Sequence, residues 1–272
     1  MRVGLALVLG LGLTLPSMRA EAAGEPARPV LGVPRAVETP RVLAESGDPA
    51  WGGPEAGEEL KPLSKDPVPN GGVTAFATRV ELRWDPQFLY VRFWCRAPEA
   101  PWAPHGDKRD APHHNGDVVE VFIDPVGDAR QFVELQVSPA NGVYDKLYLL
   151  TGEPRSHANG VLLDDVLKRD QWEFPEWNWE GLRSATAEWH QEGTVVGWIA
   201  DLALPAKPLL RRLDLKTYKA PLTLRVHLIR NACPLDTSVS SGRAFLSLSW
   251  APAPLGRPHR APATMGELRL ME

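Results

Sequence analysis

The chain has 272 residues, 43% of them hydrophobic, with 30 Lys and Arg against 34 Asp and Glu for a net charge of −4. That supplies apolar material for a substantial core, and the near balance of charge excludes the electrostatic footprint of a nucleic-acid binder. The two cysteines form no Cys-x-x-Cys pair or haem-attachment motif, which argues against cysteine redox chemistry.

Residues 1–22 read as a secretory signal: Arg2 is the positive start, 3–15 an apolar run, and Ala20-Glu21-Ala22 a small-x-small cleavage site. The run is shorter than the roughly 20 residues a membrane-spanning helix needs. The expectation is export to the periplasm or beyond, with the mature chain starting near Ala23 and no membrane span after cleavage. Residues 23–38, rich in Pro, Ala and Gly, read as a linker, and 39–272 as one domain.

From there strands dominate. Val80, Leu82 and Trp84 alternate with Arg79, Glu81 and Arg83 over residues 78–84, Asp85-Pro86-Gln87 turns the chain, and 88–96 forms the second arm of a hairpin. Further strands are expected at 117–124, 131–138, 143–149, 184–190, 195–202, 222–229, 244–250 and 266–270, with one short helix at 206–213 behind Pro205. Many short strands between Pro/Gly turns indicate an all-β, two-sheet antiparallel sandwich. The long connections 98–114 and 152–181 carry Trp102, Trp172, Trp177 and Trp179, and long loops on a rigid sandwich are where binding residues concentrate. Cys95 and Cys233 each end an expected strand. In an oxidising compartment they either pair as a disulfide or serve as two small buried hydrophobes.

No nucleophile elbow, zinc-protease helix, phosphate loop or dinucleotide fingerprint is present, so a non-catalytic protein is expected. Glu120 and Glu134 fall on neighbouring strands, but no spacing assigns them the facing geometry that glycoside hydrolysis requires. The loop 105–117 holds His105, Asp107, Asp110, His113, His114 and Asp117. These match no defined metal site, and a solvated loop is the preferred reading; loop-held calcium is the metal most compatible with an exported sandwich.

The stretch 115–125, NGDVVEVFIDP, carries the sharpest signal. Val119, Val121 and Ile123 share one strand face, while Val118, Glu120, Phe122 and Asp124 share the other, placing a carboxylate mid-strand among apolar neighbours. Glu134 and Gln136 repeat the pattern on the next strand and Arg225 and His227 on a later one, which together suggest a shared polar face. Sugars suit such a face: their C–H faces stack on aromatic rings and their hydroxyls take charged or amide partners.

The ordered blocks Pro49-Ala50-Trp51, 78–90 (TRVELRWDPQFLY), 115–125, 137–144 (VSPANGVY), 196–205 (VGWIADLALP), Arg230-Asn231, and Ser249-Trp250 with 258–268 (PHRAPATMGEL) resemble the family 9 carbohydrate-binding modules and their DOMON-like relatives. The resemblance implies a sandwich that takes a sugar or glycan end on its concave face. Glu120 matches the family's carboxylate and Gln136 its next ligand-facing position, whereas His114 and His259 stand where the clamp tryptophans would be. The expected cleft comprises Glu120, Gln136, His227 and Arg230, with His114 and His259 at its walls and Trp102, or one of Trp172, Trp177 and Trp179, as a replacement platform. A partner glycoside hydrolase is the associated expectation. Wider relatives imply the alternative of a haem- or metal-binding electron-transfer domain through His114 and His259, and a structural envelope module with a degenerate pocket is the third reading. Trp51, Trp198, Trp250 and Trp179 are expected to pack structurally.

Overall fold

The computed structural model describes residues 28–63, 72–150, 171–252 and 262–272. The expected signal segment, the first residues of the expected linker (23–27) and His259 lie outside them. Two sheets face each other. The larger has the order β1 (Val30–Pro34), β14 (Gly266–Met271), β12 (Leu222–Ala232), β6 (Val118–Asp124), β7 (Gln131–Val137), β8 (Val143–Leu150) and β9 (Gln171–Phe174). β13 (Leu246–Ser249) also pairs with β12, and β3 (Lys61–Pro62) with β13. The smaller has the order β10 (Arg183–Gln191), β11 (Thr194–Pro205), β5 (Phe88–Arg96), β4 (Thr78–Trp84) and β2 (Glu58–Glu59). Every pairing is antiparallel except β1 on β14.

Period-two alternation builds the core. Val119, Val121 and Ile123 of β6, Val133 and Leu135 of β7, and Leu224, Val226 and Leu228 of β12 meet Val80, Leu82, Val91, Phe93 and Trp198 of the smaller sheet. Burying each such aliphatic or aromatic side chain contributes roughly 1.5–3 kcal/mol, so register is strongly specified. A one-residue slip of β6 would exchange Val121 for Glu120 in the core. Pro205 ends β11, and the helix α1 (Ala206–Leu209) continues as a 3-10 turn over Leu210–Leu213, docked through Ala206, Leu209 and Leu210. Asp214, at φ 53°, stops it in the left-handed region.

One expectation is corrected and one open alternative is decided. Val30–Pro34, read as linker from its Pro/Ala-rich surroundings, forms an edge strand whose Val33 is wholly buried in the core. The core demand for one more apolar side chain outweighs local composition. Cys95 and Cys233 are both free and buried. They lie in different layers, Cys95 on β5 of the smaller sheet and Cys233 just past β12 of the larger. Burial pushes the Cys95 thiol up to about 11 and the Cys233 thiol up to about 12, far from a reactive thiolate.

Charges are buried in the outer layer of the smaller sheet as well. Arg92 is fully buried, forks onto Asp201 at 2.6 and 2.7 Å, and lies 5.0 Å from the Trp51 ring and 5.1 Å from the Trp94 ring. Glu81 accepts the Trp94 indole N–H at 2.9 Å and the Gly52 amide at 2.8 Å. These bonds hold down the segment carrying Ala44 and Trp51. Trp51 is therefore structural as expected, though outside the inter-sheet core.

Candidate functional site

The polar side chains of the larger sheet's outer face form two hydrogen-bonded chains, Ser247–Asn231–Glu120 on β13, β12 and β6 and Gln136–Glu134–Tyr148 on β7 and β8, set side by side by the register of Glu120 with Gln136. The register sets Glu120 of β6 opposite Gln136 of β7 and Ile229 of β12, and Gln136 opposite Tyr144 of β8. The Ser247 hydroxyl of β13 donates to Asn231 Oδ1 at 2.6 Å, and Asn231 Nδ2 donates to Glu120 Oε1 at 3.1 Å. Gln136 Nε2 donates to Glu134 Oε1 at 2.6 Å, and the Tyr148 hydroxyl to Glu134 Oε2 at 2.5 Å. The His114 backbone amide then donates to Gln136 Oε1 at 3.0 Å, tying the loop before β6 to this floor.

Glu120 and Glu134 are both buried, at 4% and 6% exposure, and occupy diagonal positions on neighbouring strands, about 7–8 Å apart between backbones. Burial, and then the negative charge of Glu134, raise the Glu120 carboxyl well above the usual carboxylate range. Glu120 thus holds a proton more readily than a surface glutamate and can donate as well as accept. Burial and the Glu134 carboxylate also push the Tyr148 hydroxyl upward, keeping it a donor. Lys146, a cation on this face, bonds Glu173 at 2.9 Å and sits 5.3 Å from the Tyr144 and Tyr148 ring centres.

Beside the polar network lies an apolar patch of Phe122, Phe132, Tyr148, Leu150, Ile229 and Met265, within which Phe132 and Tyr148 stack at 4.7 Å and 9°. His227, opposite Phe122, is fully buried on this same face, with Nε2 3.3 Å from the Thr264 hydroxyl. It joins the apolar side rather than the Glu120 network. Arg225 pairs with Glu267 at 2.6 Å near the sheet edge.

Arg230 requires correction. Opposite Val119, it points between the sheets, and its guanidinium donates to Arg96 O at 2.8 Å and Asp117 Oδ1 at 3.0 Å beneath the Trp198 ring. The alternation that puts Glu120 outside puts Arg230 inside, so Arg230 does not line the polar face. Asp117 is the matching half of this joint: its Oδ2 accepts the Trp102 amide at 2.9 Å and the Cys233 amide at 3.4 Å. One buried ion pair thereby fixes the end of β12, the start of β6 and the loop bearing Trp102. Gly116 permits that approach, because a Cβ there would press on the Trp102 carbonyl oxygen at 2.6 Å.

At the rim, Trp102 is 36% exposed with the Arg243 guanidinium 4.7 Å from its ring centre, and His114 is exposed. The loop 105–117 is only partly the solvated loop expected. His113 is buried, its Nε2 2.8 Å from Lys108 O, and Asp117 is the interior joint just described. Among the described residues no three His, Cys, Asp or Glu side chains converge as a metal site would require. The residues that composition did not single out are Tyr144, Lys146, Tyr148 and Asn231. The first three share β8 at period two, the same signal that exposed Glu120.

No protein-family model matches the chain, and no curated protein matches its sequence. A solved structure from Bacteroides uniformis, of a protein proposed to bind carbohydrate, is similar to it with a TM-score of 0.52 at 15% identity. The similarity covers 90% of this chain and 100% of that one, and speaks for a shared fold.

Proposed function

We propose that this is an exported, non-catalytic carbohydrate-binding protein of the family 9 carbohydrate-binding type, taking a sugar or glycan end on the outer face of the larger sheet. The observation that carries it is the polar face formed by two adjoining hydrogen-bonded chains, in which two carboxylates and two amides lie side by side with Tyr144 half-buried beside them. Protonated Glu120, Gln136 and Asn231 suit sugar hydroxyls, which both donate and accept, and Tyr144 replaces the indole platforms that His114 and His259 lack. The similarity to a protein proposed to bind carbohydrate adds weak support from the fold. Glu120 and Glu134 sit beside each other on one sheet face and are engaged by Asn231, Gln136 and Tyr148. That is a floor for holding a ligand, unlike a pair disposed across a scissile bond. A role beside a glycoside hydrolase or in contact with envelope glycans fits this reading.

A glycan array, followed by calorimetry of its strongest saccharide against wild type and Glu120→Ala, tests the reading. Saccharide binding that Glu120→Ala weakens supports it; binding indifferent to the substitution removes the proposed floor.

A further inference from the structure

A second surface carries its own chemistry. A groove of about 1020 Å³ is lined by Val133 and Leu147, by Trp177 and Asn178, and by residues of the turn 207–216. Trp177 is half-buried, braced on the core and on Trp179 at 6.0 Å between rings, and its remaining surface lines the groove. The lining from that turn is basic. Residues 206–219 hold Lys207, Arg211, Arg212, Lys216 and Lys219 against the single acid Asp214, in a chain whose net charge is −4. Arg212 is held by Asp128 at 2.6 Å. Lys207, Arg211 and Lys216 are exposed, line the groove and have no ion-pair partner among the described residues. Two acids, Glu180 and Asp214, also face it.

We propose that this groove is a second glycan site, selective for a segment of acidic polysaccharide. A pyranose ring lies on Trp177, and uronate carboxylates reach Lys207, Arg211 and Lys216. The assignment rests on the carbohydrate-binding reading and adds to it a location and a ligand charge. Charge complementarity selects an anionic chain, and the recessed indole selects a sugar over a flat lipid surface, which would reach the exposed cations but not the ring. The site is separate from Glu120, which lies on the outer face of the sheet.

The test is calorimetry of the full chain with hexagalacturonate, with cellohexaose as the neutral control. Trp177→Ala, and separately the exposed double variant Lys207→Gln/Arg211→Gln, are expected to weaken hexagalacturonate by about tenfold or more, the double variant also flattening the salt dependence. Glu120→Gln is expected to leave hexagalacturonate affinity unchanged. Thermal melts at the wild-type midpoint certify each variant as folded, and the double variant decides the matter if Trp177→Ala unfolds. The groove is ruled out by any of four results: no heat with hexagalacturonate, equal affinity for cellohexaose that Trp177→Ala weakens to the same extent, loss caused by Glu120→Gln instead, or binding to phosphatidylglycerol vesicles in place of hexagalacturonate. The neutral-sugar site stands or falls separately, on the Glu120→Ala comparison.

Discussion

Glu120→Gln is expected to change how stability depends on pH. In the unfolded chain Glu120 ionises near its ordinary value of 4.5, whereas burial and the neighbouring Glu134 keep it protonated to higher pH in the native protein. Below pH 4.5 both states are protonated and the group is neutral to folding. Above it the native state binds the extra proton, so stability falls as pH rises until the native group itself ionises. Each pH unit in that window costs at most about 1.4 kcal/mol. Gln keeps an oxygen for Asn231 Nδ2 and never ionises, so the variant lacks this slope. Urea melts of both proteins at pH 5, 6 and 7 measure it, and the variant should gain on wild type as pH rises. A stability difference independent of pH would refute the assignment of a proton to Glu120.

Arg230→Met should destabilise the fold by about 3–5 kcal/mol in urea melts, because it strands the Asp117 carboxylate inside the sandwich. Any loss of sugar binding should then track the unfolded fraction; a folded variant with selectively lost binding would return Arg230 to the ligand site. Gly197→Ala should unfold the protein or lower its melting temperature sharply, since a Cβ there would overlap the Cys95 carbonyl oxygen on the adjacent strand. Cys95 and Cys233 should stay silent to a thiol reagent in native buffer and react, as two thiols, in guanidinium. Fewer than two in the denatured protein would reveal a bridge.

Alternation made the sandwich readable. Strands such as Thr78–Trp84 and Phe88–Arg96, buried on the inner face, appear in the sequence with their observed bounds. The elements that escaped are β1, β2, β3 and β9, all short and edge or near-edge, whose pairing is decided by partners remote in sequence. The same logic governs the site. Glu120 and Gln136 fall on one face because their register is direct, whereas Arg230 looked equivalent to His227 until parity was counted: 227 is odd and 230 even, so they face opposite ways. Tyr144, Lys146 and Tyr148 were legible by the same count along β8, but without a known β7–β8 register nothing placed them beside Glu134. Asp117 looked like a loop acid because its partner lies 113 residues away.

The side-chain amides of Gln136 and Asn231 give distinct nitrogen–proton signals within the proposed floor, and the His114 backbone amide reports its rim. Titrating labelled protein with the strongest saccharide from the array should shift these signals together, saturably and at the calorimetric affinity. Saturable binding that leaves all three unmoved while shifting resonances elsewhere would contradict a sugar site on the outer face of the larger sheet.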